Sequence, residues 1–260
     1  MRLAALAAAI AAGAAPPPAP PAAALQQPAR APATHYTYVI VHGAWGGGWD
    51  WRAVDSLLTR HGHHVQRVTL TGLGERHHLA SPDIGLYTHI EDVVNTILWE
   101  NLHDVVLVGH SYGGMVISGV VDRVPDRIKR LVYVDALLPD SGESVVLMQG
   151  ADTGRSNFLA QLKRGDYLVP MWVQDTTVIP RDVPQSLRTF TDTLRLVNPA
   201  RKHVAATYIL TYEPQIDPDP FQRYADRAAA RGWPVVKMVS DHVVERSHRA
   251  ELVKLLESIP

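Results

Sequence analysis

The stretch VVLVGHSYGGMVISGVV, Val105 to Val121, sets a run of β-branched residues against a helix-like pattern, with one serine between glycines at the junction. DVVLVG reads as a strand, and GMVISGVVDRVP reads as a helix stopped before Pro125. Gly109-His110-Ser111-Tyr112-Gly113 fits G-x-S-x-G, and it lies in the strand-turn-helix context that the pattern requires. So sharp a turn makes neighbouring side chains collide, which explains a glycine two residues away on each side. Ser111 is expected to stand above the sheet edge at a helix N-terminus, where unpaired N–H groups favour developing negative charge. An ordinary serine N-cap is the plain alternative; the strand before and the helix after favour a nucleophile.

Outward from this junction the pattern alternates. YTYVIVHG (Tyr36 to Gly43) reads as a buried strand, WRAVDSLLTRHG as an amphipathic helix ending at Gly62, and HVQRVTL as the next strand. IEDVVNTILWEN is helical, IKRLVYVDA a strand, VAATYILTY a strand, FQRYADRAAARG a helix, PVVKMVS a strand and RAELVKLLESI a closing helix. Such alternation predicts an α/β fold, a mostly parallel sheet of about six strands with helices on both faces. Between Pro139 and about Ala200 the alternation breaks down, and prolines and glycines separate short apolar clusters. Small helices are expected there, forming a cap of the kind that long excursions between sheet strands often build.

The 260 residues, 46% hydrophobic and 20% charged with a formal net charge of −1, suit one globular domain and ask for no nucleic-acid or acidic-membrane partner. The absence of cysteine excludes disulfide scaffolds, thiol nucleophiles and cysteine-based metal sites together. Residues 1–34 differ from the rest. Arg2 precedes the short apolar run LAALAAAIAAGAA, and PPPAPPAAALQQPARAPAT follows. That reads as a secretory signal and a flexible linker, giving a secreted or periplasmic protein, or a cytoplasmic one if the segment is no signal. The apolar run is short for a membrane span, so none is expected in the mature chain. The folded domain is expected over 35–260, with the cap at about 139–200; a homodimer is open.

A serine at its ordinary pKa is a poor nucleophile and needs a base, which in this chain order follows an acid. His242 lies directly beyond the strand PVVKMV and is the expected base; His248, the later competitor, opens the last helix. Asp135 follows the strand RLVYV, whereas Glu213 and Asp217 follow TYILTY, and all three stand at strand ends facing the same edge. Asp241 adjoins His242 and is expected to point away. The oxyanion needs two backbone donors, expected at Tyr112 and at Ala44 in the loop HGAWGGGWDW. That loop carries tryptophans and lacks the Lys-Ser/Thr pair of a phosphate cradle. Trp45, Trp49, Leu159, Leu162, Met171 and Trp172 are candidates to line an apolar pocket. The histidines of RHGHHV and ERHHL lack a glutamate at HExxH spacing, so no metal site and no cofactor is expected.

VHGAWGGGWDW, TLTGLGER, VVLVGHSYGGMVI, VYVDALLPDSGES and SDHVVERSHRAEL together resemble the α/β-hydrolase group that holds plant methylesterases, hydroxynitrile lyases and bacterial esterase-like proteins. The likeness runs from about Tyr36 to the C-terminus. It implies a six-stranded α/β-hydrolase core with a helical cap and cofactor-free hydrolysis of small, often aromatic, esters. By position it implies Ser111 as nucleophile, His242 as base, and Ala44 and Tyr112 as oxyanion donors. Plant members carry their acid after the penultimate strand, where this chain has Glu213 or Asp217; bacterial relatives more often show the YxDAxxP pattern that Asp135 matches. Lyases of the group have lysine and threonine where this chain has Val243 and Gly43. The expected chemistry is acyl transfer from a small-molecule ester to water; a lyase and a ligand-binding receptor are the alternatives on the same scaffold.

Overall fold

In the computed structural model, residues 35–149 and 159–259 are described. The N-terminal apolar run and the Pro/Ala-rich linker lie outside the described residues. Six strands form one sheet: β1 (Thr37–Val41), β2 (His64–Val68), β3 (Val105–His110), β4 (Ile128–Val134), β8 (Ala205–Tyr212) and β9 (Val235–Val239). Their order is β2-β1-β3-β4-β8-β9, and every neighbouring pair is parallel. A parallel sheet is covered on both faces, so its central strands are near-continuous apolar runs, and all six residues of β3 are buried. The period of two sorts these runs between two cores. Val39, Val41, Val105, Leu107, Leu131 and Tyr133 face one, and Tyr38, Ile40, Val106, Val108, Val132 and Val134 face the other.

The first core is covered by α2 (Leu86–Trp99) and α3 (Gly113–Arg123), the second by α1 (Arg52–Arg60) and the C-terminal helix Arg249–Ser258. In α1 only one stripe is apolar, with Val54 and Leu58 buried, as suits a helix with one face in water. α3 is buried on nearly every side, and its sequence is apolar or small all round for that reason. Strand β9 is an edge, half-exposed and carrying Lys237, a charge that blunts pairing with another chain.

The strand order reverses direction between β1 and β3, and in open α/β sheets ligands lie in the crevice at that reversal, outside the carboxyl ends of the strands. The carboxyl end of β1 runs into His42-Gly43-Ala44 and that of β3 into Ser111. Over this end sits the excursion between β4 and β8. It contains a short helix α4 (Val145–Gln149) and a helical turn Arg188–Thr191, as expected, but also an antiparallel three-stranded sheet. Its strands are β5 (Lys163–Arg164), β6 (Tyr167–Leu168) and β7 (Gln185–Ser186). The all-helical cap of the sequence reading is corrected on this point, because two-residue strands leave no alternation to read. Among the described residues no helix is long and apolar enough to cross a membrane.

Candidate active site

Ser111 sits on the turn between β3 and α3 with φ of 53°, the left-handed region that a residue with a Cβ rarely occupies. Three backbone bonds hold it there. Its N–H donates to Val134 O at 3.3 Å, and its carbonyl accepts from Leu137 N at 2.9 Å and from Gly114 N at 3.1 Å. The flanking glycines are sterically required: a Cβ on Gly113 would stand 2.6 Å from Val41 O, and one on Gly109 2.8 Å from Gly113 O. Gly114 is equally constrained, since its Cβ would meet Leu137 O at 2.0 Å. The sequence GHSYGG is therefore the footprint of close backbone approach between β1, β3, α3 and the start of the cap.

Ser111 Oγ lies 2.9 Å from His242 Nε2, and His242 Nδ1 lies 2.6 Å from Asp135 Oδ2. A carboxylate only accepts, so Nδ1 carries the imidazole proton and Nε2 accepts from the serine hydroxyl. Asp135 is buried, and its other oxygen accepts from the Thr211 N–H at 3.3 Å. Glu213 Oε2 instead accepts from Gln215, Asp217 is exposed, and Asp241 turns away to accept from Ser247. Exposed His248 bonds Ser240 and Ser247. Among the described residues no acceptor takes the N–H of Ala44 or of Tyr112, so both donors are open.

Two groups that the sequence reading missed hold His242. The His110 Nε2–H donates to the His242 carbonyl at 2.7 Å, and the Phe221 ring stacks on the imidazole at 4.6 Å and 17°. The signal for His110 was present, since it is the residue before the serine in G-x-S-x-G, but its partner is 132 positions away. Burial lowers its pKa, which keeps it neutral.

The first loop is pinned from both sides. Leu70 N–H donates to His42 Nε2 at 3.1 Å, so the His42 Nδ1–H donates to Gly43 O at 2.7 Å. From the cap, Gln185 Oε1 accepts from the Trp45 N–H at 2.8 Å, and Leu168 O accepts from the Trp45 indole at 3.1 Å. On the Tyr112 side, the phenol donates to His89 Nδ1 at 2.9 Å while His89 Nε2–H donates to Thr71 O at 3.0 Å.

His42 and His89 are fully buried, and burial lowers each pKa from 6.5 to about 4. The unfolded chain then binds protons that the folded one refuses, so stability is full above pH 6.5 and is lost as pH falls toward 4. Each site contributes on the order of 3 kcal/mol to that loss. Asp50 acts in the opposite sense, because burial outweighs the nearby Arg246 and raises its pKa to about 6. Urea unfolding at stepped pH is expected to show a net fall in stability over this range, with a shallower slope in His89→Gln.

A cavity of about 510 Å³ opens above Ser111, walled by Trp45, Leu137, Leu159, Trp172, Phe190 and Phe221. Trp45 and Trp172 meet edge to face at 5.1 Å. Of the other pocket candidates, Trp49 lies under the Arg246 guanidinium at 4.8 Å, Leu162 is core, and Met171 is exposed beside Arg164. One side of the cavity is charged: the Arg246 Nε–H donates to Asp50 at 2.7 Å, and the Trp172 indole donates to Asp182 at 2.6 Å. The histidine clusters serve elsewhere, His61 and His63 bonding Glu257, and among the described residues no group of three potential ligands is placed to hold a metal.

A sheet of this order with a serine-bearing turn beneath a cap defines the α/β-hydrolase class, and the chain matches the alpha/beta hydrolase family over residues 38–255. It belongs to that family. It is 36% identical over 240 residues to a carbendazim hydrolyzing esterase from a Nocardioides species, across 85% of this chain and 98% of that protein. Methylesterase 2 of Arabidopsis thaliana is 35% identical over 109 residues, 41% of each chain. Among solved structures, an extracellular alpha/beta-hydrolase from a Paenibacillus species superposes with a TM-score of 0.72 at 24% identity, covering 86% of this chain and 98% of that one.

Proposed function

We propose that this protein is a serine hydrolase that cleaves small to medium carboxylic esters with an apolar or aromatic group through an acyl-enzyme. The observation that carries the reading is the continuous chain of short contacts from Ser111 Oγ through His242 to the buried Asp135. His242 takes the serine proton as Oγ attacks the ester carbonyl. Asp135 keeps the imidazole in the tautomer with the proton on Nδ1 and stabilises the imidazolium. The N–H groups of Ala44 and Tyr112 bind the tetrahedral oxyanion, an interaction worth about 3 kcal/mol per donor. Proton return from His242 releases the alcohol, and water attacks the acyl-enzyme by the same route. The apolar side of the cavity, walled by Trp45 and Trp172, suits an uncharged acyl or alcohol group. Gly43 and Val243, in place of the lyase threonine and lysine, favour hydrolysis over cyanohydrin cleavage.

The test is hydrolysis of p-nitrophenyl and methyl esters of graded size by the domain beginning at Tyr36. Turnover of aromatic and short acyl esters is expected. A folded protein inert toward every ester, yet binding an apolar probe in the cavity, would refute the reading. Because His110 grips the carbonyl of His242, His110→Ala is expected to lower kcat by about 10²-fold with KM little changed, the signature of a misplaced base. His110→Gln, which keeps an N–H donor, should recover part of that loss.

A further inference from the structure

A second cavity of about 510 Å³ lies between α3, β4, the start of the cap and the turn before β9, and it shares no lining residue with the cavity above Ser111. Its floor is apolar, made by Val121, Leu131, Leu196 and the Tyr133 ring, on which Trp233 stacks at 5.6 Å. The polar atoms of that floor are already satisfied: the Tyr133 hydroxyl donates to Ser118 Oγ at 2.8 Å, and Ser118 donates to Gly114 O at 2.7 Å.

The rim is cationic, formed by Arg201, Lys202 and Arg231. One amino group of Arg231 bonds Asp140 at 2.6 Å and Pro139 O at 3.0 Å, and its guanidinium lies over Trp233. Arg201 Nε stands 3.4 Å from Asp122, which also accepts from the Asn198 N–H. Asp140 is the acid among the lining residues, and Arg227 shares it. Lys202 enters no ion pair among the described residues, so the rim carries an excess of one positive charge.

We infer that this cavity is a second binding site, and that it takes a monocarboxylate carried on an apolar body of about two fused rings. Cavities of this volume are the usual size of small-molecule sites, and this one sets an apolar floor against a polar, cationic rim, the division that an amphipathic anion needs. The body rests on Leu131, Leu196 and Trp233, and the carboxylate meets the Lys202 ammonium with Arg201 beside it, a charge-assisted contact. One unpaired cation selects one negative charge. The site does not depend on the chemistry at Ser111.

Isothermal titration of the full chain with 2-naphthoate tests this, with neutral 2-naphthamide as comparison. Lys202 is exposed and Leu196 half-buried, so Lys202→Glu and Leu196→Trp are expected to fold. The parent should bind naphthoate better than naphthamide, Lys202→Glu should weaken naphthoate by about tenfold, and Leu196→Trp, which fills the cavity, should abolish binding. Trp172→Ala, at the other cavity, should leave the affinity as it was. Absence of heat at millimolar naphthoate, unchanged affinity in Lys202→Glu, or a loss confined to Trp172→Ala would each overturn the inference, the last by placing the probe above Ser111.

Discussion

Replacing Ser111 with alanine is expected to lower ester hydrolysis by at least about 10⁴-fold while the fold stays intact. The hydroxyl bonds His242 Nε2 at 2.9 Å, in a cavity that Ala44 and Tyr112 also line. Alanine removes one half-buried hydroxyl and leaves every backbone bond of the turn in place. Residual activity should be that of oxyanion binding alone, about 10³-fold or more above water. Ser111→Gly makes a sharper point. A serine held at φ of 53° stores backbone strain on the order of 1 to 3 kcal/mol, and glycine adopts that conformation freely. Glycine also loosens the unfolded chain by about 0.5 to 1 kcal/mol, so the net expectation is an inactive protein that is modestly more stable. Initial rates on p-nitrophenyl acetate and thermal unfolding of the parent and both variants check this. Retention of a tenth of the activity in either variant would remove Ser111 from the chemistry.

What was readable in the sequence and what was not divide along contact range. The strand VVLVGH, the glycines at 109 and 113 and the helix after them are consecutive, so local sterics write the turn directly into the chain. His242 was readable because a polar residue just beyond the last apolar strand falls at the same sheet edge as Ser111. The grip of His110 on the His242 carbonyl, the Phe221 ring against the imidazole and the Arg246–Asp50 pair were not readable, because each joins elements brought together only by the strand order. The cap follows the same rule. Trp45 and Trp172 do line the cavity, but a tryptophan or leucine beside them in sequence serves equally as core or surface, as Trp49 and Leu162 show.

Asp135→Asn is expected to lower kcat by about 10⁴-fold, while Glu213→Gln and Asp217→Asn stay within about twofold of the parent. The difference follows from what each group faces. Asp135 is buried at the end of β4, accepts the His242 Nδ1–H at 2.6 Å and turns its second oxygen to the Thr211 N–H. An asparagine there can still accept from Thr211, so the loop should persist, but its NH₂ would face a ring nitrogen that must now accept. The imidazole is then driven to the tautomer with the proton on Nε2, which has no lone pair for the serine proton. A fall in kcat with native thermal stability separates this from unfolding. Glu213 lines a small cavity together with Asp135 and His242, but its carboxylate accepts from Gln215 and makes no bond to the imidazole. If Glu213→Gln were the silent partner no longer and Asp135→Asn remained active, the acid would move to the end of β8, the arrangement implied for the plant relatives.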